Sequence, residues 1–301
     1  MGILQCIGNT PIASIDLNPN PGVKLFAKLE GNNPGGSVKD RIALYMVEAA
    51  EKEGRLTKDK IILEATSGNT GIGLAMVATA KRYRLKLTMP ACVSIERRRI
   101  LEAFGAELIL TPSNEGTDGA IRLAHKILSE DADKYFMPNQ FDNEANIMAH
   151  YETTGKEIID QTQGRITHFV AGMGTTGTLM GVSRRLKEFN KDIRIVGVEP
   201  VLNHRIQGLK NMMESIKPKI FDPGRIDEHY YVNDEEAFDT TRMLAIKEGL
   251  FVGMSSGAAM YVALRKSSEL KDGLIVVLLP DRGDRYLSTS LFTSVCAKCP
   301  P

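Results

Sequence analysis

Short apolar runs alternate with segments of helical periodicity along most of the chain. The runs are rich in Val, Ile and Leu, and they predict strands at residues 23–29, 60–65, 85–89, 107–110, 167–171, 194–198 and 274–279. Between most of them, apolar residues at helical spacing predict helices at residues 69–83, 96–104, 117–128, 143–161 and 177–189. This alternation is typical of an α/β fold with sheets covered on both faces. The length suits two open, largely parallel twisted sheets flanked by helices.

Two interruptions of the alternation divide the chain. The pattern weakens at residues 140–146 and resumes with a helix near Asn143, where we place a change of domain. Residues 203–234 form a second irregular stretch that carries several Lys and Pro residues. Long connections of this kind run over the surface and carry function more often than core packing, so we expect this one to line a site.

Composition and charge favour small-molecule chemistry in the cytoplasm. The 301 residues are 43% hydrophobic and carry a formal net charge of +1, without a long basic run. Nucleic-acid binding usually appears as a basic excess, so we expect no nucleic-acid partner. The chain lacks an apolar run of about 18 residues, and its first residues lack the pattern of a signal peptide. We therefore expect neither membrane insertion nor export.

The cysteines predict neither a disulfide framework nor a metal site. Cys6 and Cys92 are isolated, whereas Cys296 and Cys299 form a CxxC motif in the last residues of the sequence. A structural zinc site takes four ligands, and neither a second CxxC nor a paired His motif accompanies this one. We interpret the CxxC motif as part of a mobile tail and expect no metal.

The turn AGMGTTGT, residues 171–178, predicts a phosphate site. It follows a strand and opens a helix, so free backbone N–H groups and the positive end of the helix dipole face an anion. Its glycines let the backbone approach closely, and Thr175, Thr176 and Thr178 add hydroxyl donors. The turn also contains GxGxxG, and Glu199 ends the next strand where a ribose partner would lie in a dinucleotide fold. This motif alone leaves a nicotinamide cofactor open.

The turn ATSGNTG, residues 65–71, predicts a site for a carboxylate. It crowds small polar donors onto one helix N-terminus, namely Thr66, Ser67, Asn69 and Thr70. A single Ser or Asn would be enough to cap the helix, and capping alone is the alternative interpretation. The excess of donors favours contact with a second anionic group.

Lys39 lies in a third turn, NNPGGSVKDR. Ser37 and Asp40 resemble a capping box, so we expect a helix to begin here with Lys39 in its first turn. A cation at that position opposes the helix dipole, which favours the neutral amine that imine formation needs. A lysine that points to solvent is the alternative. A phosphate site, a carboxylate site and such an amine together describe pyridoxal phosphate with an amino-acid substrate.

The motif GMSSGAA adds a hydroxyl for the cofactor's pyridine nitrogen. We expect Ser255 or Ser256 to cap the following helix and one of them to contact that nitrogen. An Asp partner would keep the nitrogen protonated and strengthen the electron sink, whereas a Ser leaves it neutral. A weaker sink disfavours transamination and suits β-elimination with a good leaving group.

Nearly the whole chain resembles the cysteine synthase family, the O-acetylserine sulfhydrylases among the fold-type II pyridoxal-phosphate enzymes, with a tryptophan synthase β-like fold. The motifs that carry the resemblance are IGNTP, GNNPGGSVKDR, ATSGNTG, MPACVSIERR, HYETTG, HFVAGMGTTGT, GMSSGAA and DRGDRYLST. Several of them, DRGDRYLST included, are similar to the B type. The resemblance implies a homodimer in which a smaller, mobile domain (residues 1–12 and 36–142) closes on a larger one (13–35 and 143–301), with the cofactor between them.

The resemblance also implies roles for individual residues. Lys39 would form the internal aldimine with pyridoxal 5'-phosphate and later move the substrate's α-proton. Asn69 would bind the cofactor's phenolic oxygen, and Ser255 would face the ring nitrogen. The cofactor's phosphate would be held by Gly174, Thr175, Thr176, Gly177 and Thr178. The substrate's carboxylate would be bound by Thr66, Ser67, Thr70 and Gln140.

The implied reaction makes L-cysteine. O-acetyl-L-serine loses acetate to give a bound aminoacrylate, which then adds the sulfur donor, sulfide or thiosulfate. An O-phosphoserine-dependent synthase, a cystathionine β-synthase and a cysteine desulfhydrase run the same chemistry on other substrates and remain alternatives. A non-catalytic protein that docks a serine acetyltransferase is a further alternative, which intact Lys39, Asn69 and Ser255 disfavour.

The acceptor site is predicted from charged residues near the expected cleft. Asp281 and Arg282 stand where the A type is neutral, which suggests a more polar site. Residues 203–211 follow the strand that ends at Glu199, so Lys210 should lie at the carboxyl edge of the second sheet. There it would attract an anionic donor or substrate such as thiosulfate or O-phosphoserine. A solvated surface lysine is the alternative.

Overall fold

Strands form two sheets in the computed structural model, which describes residues 2–66, 68–213 and 216–292. The strands are β1 (Ile12–Ser14), β2 (Val23–Leu29), β3 (Ile61–Ala65), β4 (Arg84–Pro90), β5 (Glu107–Thr111), β6 (Tyr135–Phe136), β7 (His168–Gly172), β8 (Arg194–Pro200), β9 (Glu228–Val232) and β10 (Gly273–Leu279). The larger sheet has the order β1-β2-β10-β7-β8-β9, and the smaller sheet has the order β5-β4-β3-β6. β1 pairs with β2 in antiparallel orientation, and the other strand pairs are parallel. The predicted α/β fold with two largely parallel sheets is confirmed.

Helices cover both faces of each sheet. They are α1 (Lys39–Lys52), α2 (Asn69–Lys81), α3 (Ile95–Ala103), α4 (Gly116–Glu130), α5 (Glu144–Ala149), α6 (Gly155–Gln161), α7 (Gly177–Phe189), α8 (Asp234–Glu248) and α9 (Met254–Glu269). Alternate residues of β10 pack into two cores, one with α8 and α9 and one with α6 and α7. The smaller sheet packs against α1, α2 and α3 on one face and α4 on the other. Burial on both faces explains the continuous apolar runs. Over the described residues, each helix is too short or too polar to cross a lipid bilayer.

The sequence pattern missed short edge strands and a π-helical turn. β1 and β9 lie at the edges of the larger sheet, and the two-residue strand β6 lies at an edge of the smaller one. The predicted helix 143–161 consists of α5 and α6 joined by the π-helical turn His150–Thr154. A Cβ atom on Gly181 of α7 would clash with the carbonyl oxygen of Ile147. The turn therefore lies where α7 crosses this segment at close range.

The carboxyl ends of both sheets open onto a common cavity. Thr66 follows β3, Gly172 ends β7 and Pro280 follows β10, and all three line the cavity. Such edges are where open α/β sheets bind ligands, because helix N-termini meet there. An isolated bridge between Ser37 and Asp281 holds the segment after β10 against the turn before α1.

Buried charges join β2 to α1 and α6. Arg41 of α1 donates to Glu30 Oε2 at 2.7 Å and to Glu157 Oε1 at 2.6 Å, and Lys28 of β2 donates to Glu157 Oε2 at 2.6 Å. Burial alone would raise the pKa of Glu157, but its contacts with Arg41 and Lys28 hold this pKa at about 2. Two cations and two carboxylates thus balance each other inside the protein.

Candidate active site

The cavity collects residues from every turn that the sequence analysis selected. The selected residues that line it are Lys39, Thr66, Asn69, Thr70, Gln140, Gly174, Thr175, Thr176, Thr178, Lys210 and Ser255. Gly177 is the first residue of α7 and follows the lining residue Thr176. Ser67, Cys296 and Cys299 lie outside the described residues.

Lys39 is the first residue of α1, although the cap differs from the predicted capping box. Ser37 Oγ accepts a hydrogen bond from the Lys39 N–H at 3.2 Å, but the Asp40 carboxylate accepts from the Gly35 N–H at 2.6 Å instead of returning to Ser37. Burial lowers the pKa of the Lys39 amine, although nearby carboxylates, chiefly Asp281, oppose the change. Burial thus favours the neutral form of the Lys39 amine, which imine formation needs. Lys39 lines the cavity, so a lysine that points to solvent is excluded.

The turn after β3 presents its hydroxyl groups to the cavity. Thr66 Oγ1 accepts from the Gly68 N–H at 3.0 Å, which shapes the turn. Thr70 Oγ1 donates to Gln140 Oε1 at 2.5 Å, and Gln140 Nε2 donates to the Ala65 carbonyl oxygen at 3.0 Å. Thr66 Oγ1 also accepts from the Gly71 N–H of the first turn of α2 at 3.3 Å, so Thr66 caps the helix in part, whereas the Thr70 hydroxyl takes no part in capping. The structure brings Gln140 to the turn, as the resemblance implied.

Asn69 is held by two charged side chains on the segment after β10. Its Nδ2 donates to Asp281 Oδ2 at 2.6 Å, and its Oδ1 accepts from Arg285 Nη1 at 2.7 Å. Asp281 Oδ2 also accepts from the Tyr286 hydroxyl at 2.6 Å, and Asp281 is 1% exposed. An amide carries two N–H groups, so one remains for a ligand. Asp281 therefore acts on the site through Asn69, and its part in an acceptor site stays a prediction.

The loop before α7 has the shape of an anion cradle. Thr176 adopts a positive φ of 69°, and its buried Oγ1 lacks a hydrogen-bond partner among the described residues. Thr175 Oγ1 accepts from Asn146 Nδ2 at 3.1 Å, and Thr178 Oγ1 lies 3.2 Å from His150 Nε2. A buried polar group without a partner costs about 1–3 kcal/mol, which a phosphate oxygen would recover. The loop therefore fits the phosphate of pyridoxal phosphate.

The dinucleotide alternative fails at Glu199. Its carboxylate accepts from the Met212 N–H at 2.6 Å and lies 2.7 Å from His229 Nε2, and the residue is 1% exposed. A ribose hydroxyl would have to displace both contacts inside the protein. Such a site would also give Lys39 no role.

Ser255 lines the cavity, but the expectation that Ser255 or Ser256 caps α9 is wrong. The helix begins at Met254 with Gly253 at the N-cap, so both serines lie in its first turn. Ser256 is fully buried and is not among the residues that line the cavity, whereas Ser255 is. The hydroxyl available to a ring nitrogen is therefore that of Ser255.

Lys210 lies on the cavity wall in an ion pair. Its Nζ is 3.1 Å from Asp118 Oδ1 and 4.9 Å from the centre of the Phe141 ring. The Lys210 side chain is 10% exposed, so the alternative of a solvated surface lysine does not apply. The connection between β8 and β9 thus reaches the site, as its irregular sequence predicted.

Arg97 is a site residue that the sequence analysis missed. It lies in α3, lines the cavity, and donates to Gln207 Oε1 at 2.9 Å and to the Tyr286 hydroxyl at 2.7 Å. In the sequence it is one of three consecutive arginines. Helical spacing alone does not tell buried Arg97 from half-buried Arg98 and exposed Arg99.

Comparisons with known proteins found a matching family model, similar sequences and similar structures. A family model described as pyridoxal-phosphate dependent enzyme matches residues 3–281. The chain is 47% identical over 302 residues to a cysteine synthase of Aquifex aeolicus (strain VF5), covering 97% of this chain and 92% of that protein. It is 47% identical over 289 residues to cysteine synthase B of Escherichia coli (strain K12), covering 96% and 95%. A hydrogen sulfide-producing enzyme from Fusobacterium nucleatum has a crystal structure with a TM-score of 0.90 and 41% identity, covering 95% and 99%.

Proposed function

Because the chain belongs to the family of pyridoxal-phosphate-dependent enzymes, we propose that it forms L-cysteine from O-acetyl-L-serine and sulfide by β-replacement. The observation that carries the proposal is the cavity, which Lys39 lines together with residues of the turn after β3 and of the loop before α7. Similarity over nearly the whole chain to a cysteine synthase and a cysteine synthase B supports the same reaction.

The residues of the cavity would hold the cofactor at both ends. The loop 174–178, with the Thr176 hydroxyl, would bind its phosphate, Ser255 would face its ring nitrogen, and Lys39 would anchor it through the amine. Asn69 would donate its remaining N–H to the phenolic oxygen. When bound, pyridoxal phosphate supplies a ring that withdraws electrons from the substrate's α-carbon.

The N-terminus of α2 would bind the substrate's carboxylate. Thr66, Thr70 and Gln140 lie there, and the helix dipole favours a negative charge. With the carboxylate held, the α-proton can face the Lys39 amine, which accepts it because burial favours the neutral form. Acetate then leaves the β-carbon with the electrons of the C–O bond, and sulfide forms a C–S bond at the β-carbon. Lys39 returns the proton to the α-carbon.

The reaction would take place in a closed form of a cytoplasmic homodimer. The smaller domain, residues 1–12 and 36–142, would close on the larger one, residues 13–35 and 143–301, and exclude water from the cavity. Sedimentation of the purified protein tests the dimer. Co-purification with a serine acetyltransferase tests the partner that the resemblance raises.

The substrates are tested on purified protein loaded with pyridoxal phosphate. O-acetylserine, O-phosphoserine, serine and cysteine are compared by the absorbance change of the bound cofactor, and sulfide, thiosulfate or homocysteine is then added. We expect the largest change with O-acetylserine and the release of cysteine with sulfide. Preference for another pair would assign one of the related activities, and a protein that ignores pyridoxal phosphate would contradict the proposal.

Lys39→Ala should abolish turnover and the covalent link to the cofactor. The reason is that Lys39 is the amine in the cavity whose pKa is lowered by burial. Borohydride reduction followed by peptide mapping locates the link. Lys52→Ala, at the exposed end of α1, is the matched control and should keep both properties. A reduced cofactor on a different lysine would refute the assignment of Lys39 as the cofactor-linked residue.

A further inference from the structure

We propose that Asp118 selects the sulfur donor by neutralising Lys210. Asp118 lies in the first turn of α4, which packs on the smaller sheet, and Lys210 lies on the connection between β8 and β9 of the larger sheet. Their ion pair therefore joins α4 to the connection between β8 and β9, beside the cavity that Lys210 lines. The pair favours sulfide and disfavours dianions such as thiosulfate or the phosphate of O-phosphoserine. This inference rests on the proposed function, of which it specifies the donor class.

The position of Lys210 is fixed on the cavity wall. The backbone N–H of Lys210 donates to the Met173 carbonyl oxygen at 2.8 Å, next to the loop 174–178. Its Nζ lies 4.9 Å from the centre of the Phe141 ring, which also lines the cavity. The contacts of its backbone and of its ammonium group keep Lys210 at the cavity, so the positive charge interacts with a ligand bound there.

Asp118 is held as firmly as its partner. Its Oδ1 accepts from Lys210 Nζ and its Oδ2 accepts from the Ile216 N–H, each at 3.1 Å. The N-terminal turn of a helix also stabilises a carboxylate. A dianion that approaches Lys210 therefore meets a fixed negative charge as well as the positive one. Asp118 acts through Lys210, so it is a positioning residue and not a catalytic one.

Asp118→Asn should turn this wall of the cavity into a cationic site. The variant keeps the size of the side chain and an oxygen for Ile216, but it leaves the Lys210 charge without a counter-ion. We expect the KM for thiosulfate to fall about tenfold, which corresponds to ~1.4 kcal/mol, while kcat changes little. The KM for sulfide should stay nearly unchanged, because sulfide is small and carries at most one charge near neutral pH.

The control is a second Asp–Lys pair of the same kind. Asp142 Oδ2 lies 2.9 Å from Lys219 Nζ, and the Asp142 side chain is 24% exposed, as is that of Asp118. Asp142 also accepts from a backbone N–H, that of Lys219, at 3.3 Å. The Lys219 side chain is 81% exposed. Asp142→Asn should therefore leave the use of thiosulfate unchanged.

Anion binding is also measured without turnover. The full-length enzyme loaded with pyridoxal phosphate is titrated with thiosulfate by calorimetry. Asp118→Asn should bind it about tenfold more tightly than the wild type, and the double variant D118N/K210M should lose that gain. Lys210→Met alone leaves the Asp118 carboxylate beside the cavity without its cation and should bind thiosulfate more weakly than the wild type. This single variant keeps the test valid if Asp118→Asn does not fold.

The inference is overturned if Asp118→Asn binds thiosulfate like the wild type, if sulfide and thiosulfate change equally, or if the double variant keeps the gain. It is also overturned if a folded Lys210→Met variant binds thiosulfate as well as the wild type. A protein that makes no cysteine would refute the proposed function instead, and the calorimetric titration would still decide the role of Asp118.

Discussion

Asp281 orients the Asn69 amide, and Asp281→Asn should weaken cofactor binding about tenfold. Asp281 Oδ2 accepts from Asn69 Nδ2 and from the Tyr286 hydroxyl, each at 2.6 Å, whereas an Asn can turn N–H groups toward those donors. Hydrogen bonds to charged groups contribute about 1.5–3 kcal/mol, and ~1.4 kcal/mol is tenfold in affinity. Titration of the apoenzyme with pyridoxal phosphate measures the change. Asp284→Asn, at an exposed ion pair with Arg282, should bind the cofactor normally. Equal affinities for all three proteins would refute this role of Asp281.

The sequence could predict individual site residues where the functional side chains of a turn follow one another within a short motif. Lys39, Thr66 and Thr70 lie in the cavity because each follows a strand or opens a helix within its own short motif. Contacts between distant segments were not predictable in this way. Asp118 and Lys210 are 92 positions apart, and Arg97 and Gln207 are 110 positions apart. Local periodicity carries no information on which charged residues the sheets bring together.

At the scale of elements, Glu157→Gln should destabilise the protein by about 3 kcal/mol or more. The change removes the carboxylate that joins α6 to Arg41 of α1 and Lys28 of β2, and it leaves these two buried cations with the carboxylate of Glu30. The pKa of Glu157 is held at about 2, so its contribution is present above about pH 4.5 and is lost as the pH falls through 2. Urea unfolding at pH 7 measures the effect. Glu152→Gln, on the exposed side of the π-helical turn, should cost much less, and equal costs would contradict the argument.

Strands and helices could be predicted where the residues of the element itself determine its secondary structure. The strands at the centre of the two sheets are buried on both faces, and their apolar runs are visible in the sequence. The π-helical turn has no such signal, because it accompanies the close crossing of α7, which depends on Gly181. The edge strands β1 and β6 are too short to show a period.

For the whole molecule, two buried carboxyl groups should make stability fall as the pH rises toward 8, whereas buried His150, whose pKa is lowered to about 3, opposes this fall below about pH 6.5. Burial raises the pKa of Glu64 to about 8 and that of Asp40 to about 7. Both carboxyl groups keep a proton in the folded state that they lose in the unfolded state. Their stabilisation is therefore complete below their ordinary pKa and is lost as the pH rises through the folded-state value. For Glu64 the expected slope is about 1.4 kcal/mol per pH unit.

Glu64→Gln tests this slope because its amide does not titrate. Its free energy of unfolding in urea should decline less between pH 6 and 8, on the order of 1–3 kcal/mol less than that of the wild type. Glu130→Gln, on the exposed end of α4, should follow the wild type. A decline of Glu64→Gln parallel to that of the wild type would show that Glu64 titrates normally.

The central place of β10 also decides the order in which the sheets can form during synthesis. β10 lies between β2 and β7, and its Gly273 pairs with Val23, so the larger sheet joins early and late parts of the chain. The smaller sheet takes its strands from the intervening stretch, β3 to β6. A ribosome therefore releases every strand of the smaller sheet before it releases β10. Until then, β2 is paired with β1 on one side and has an open edge on the side that β10 will cover. Open apolar edges pair readily with other chains. The nascent protein is thus more prone to aggregation before the ribosome has released β10 than after it.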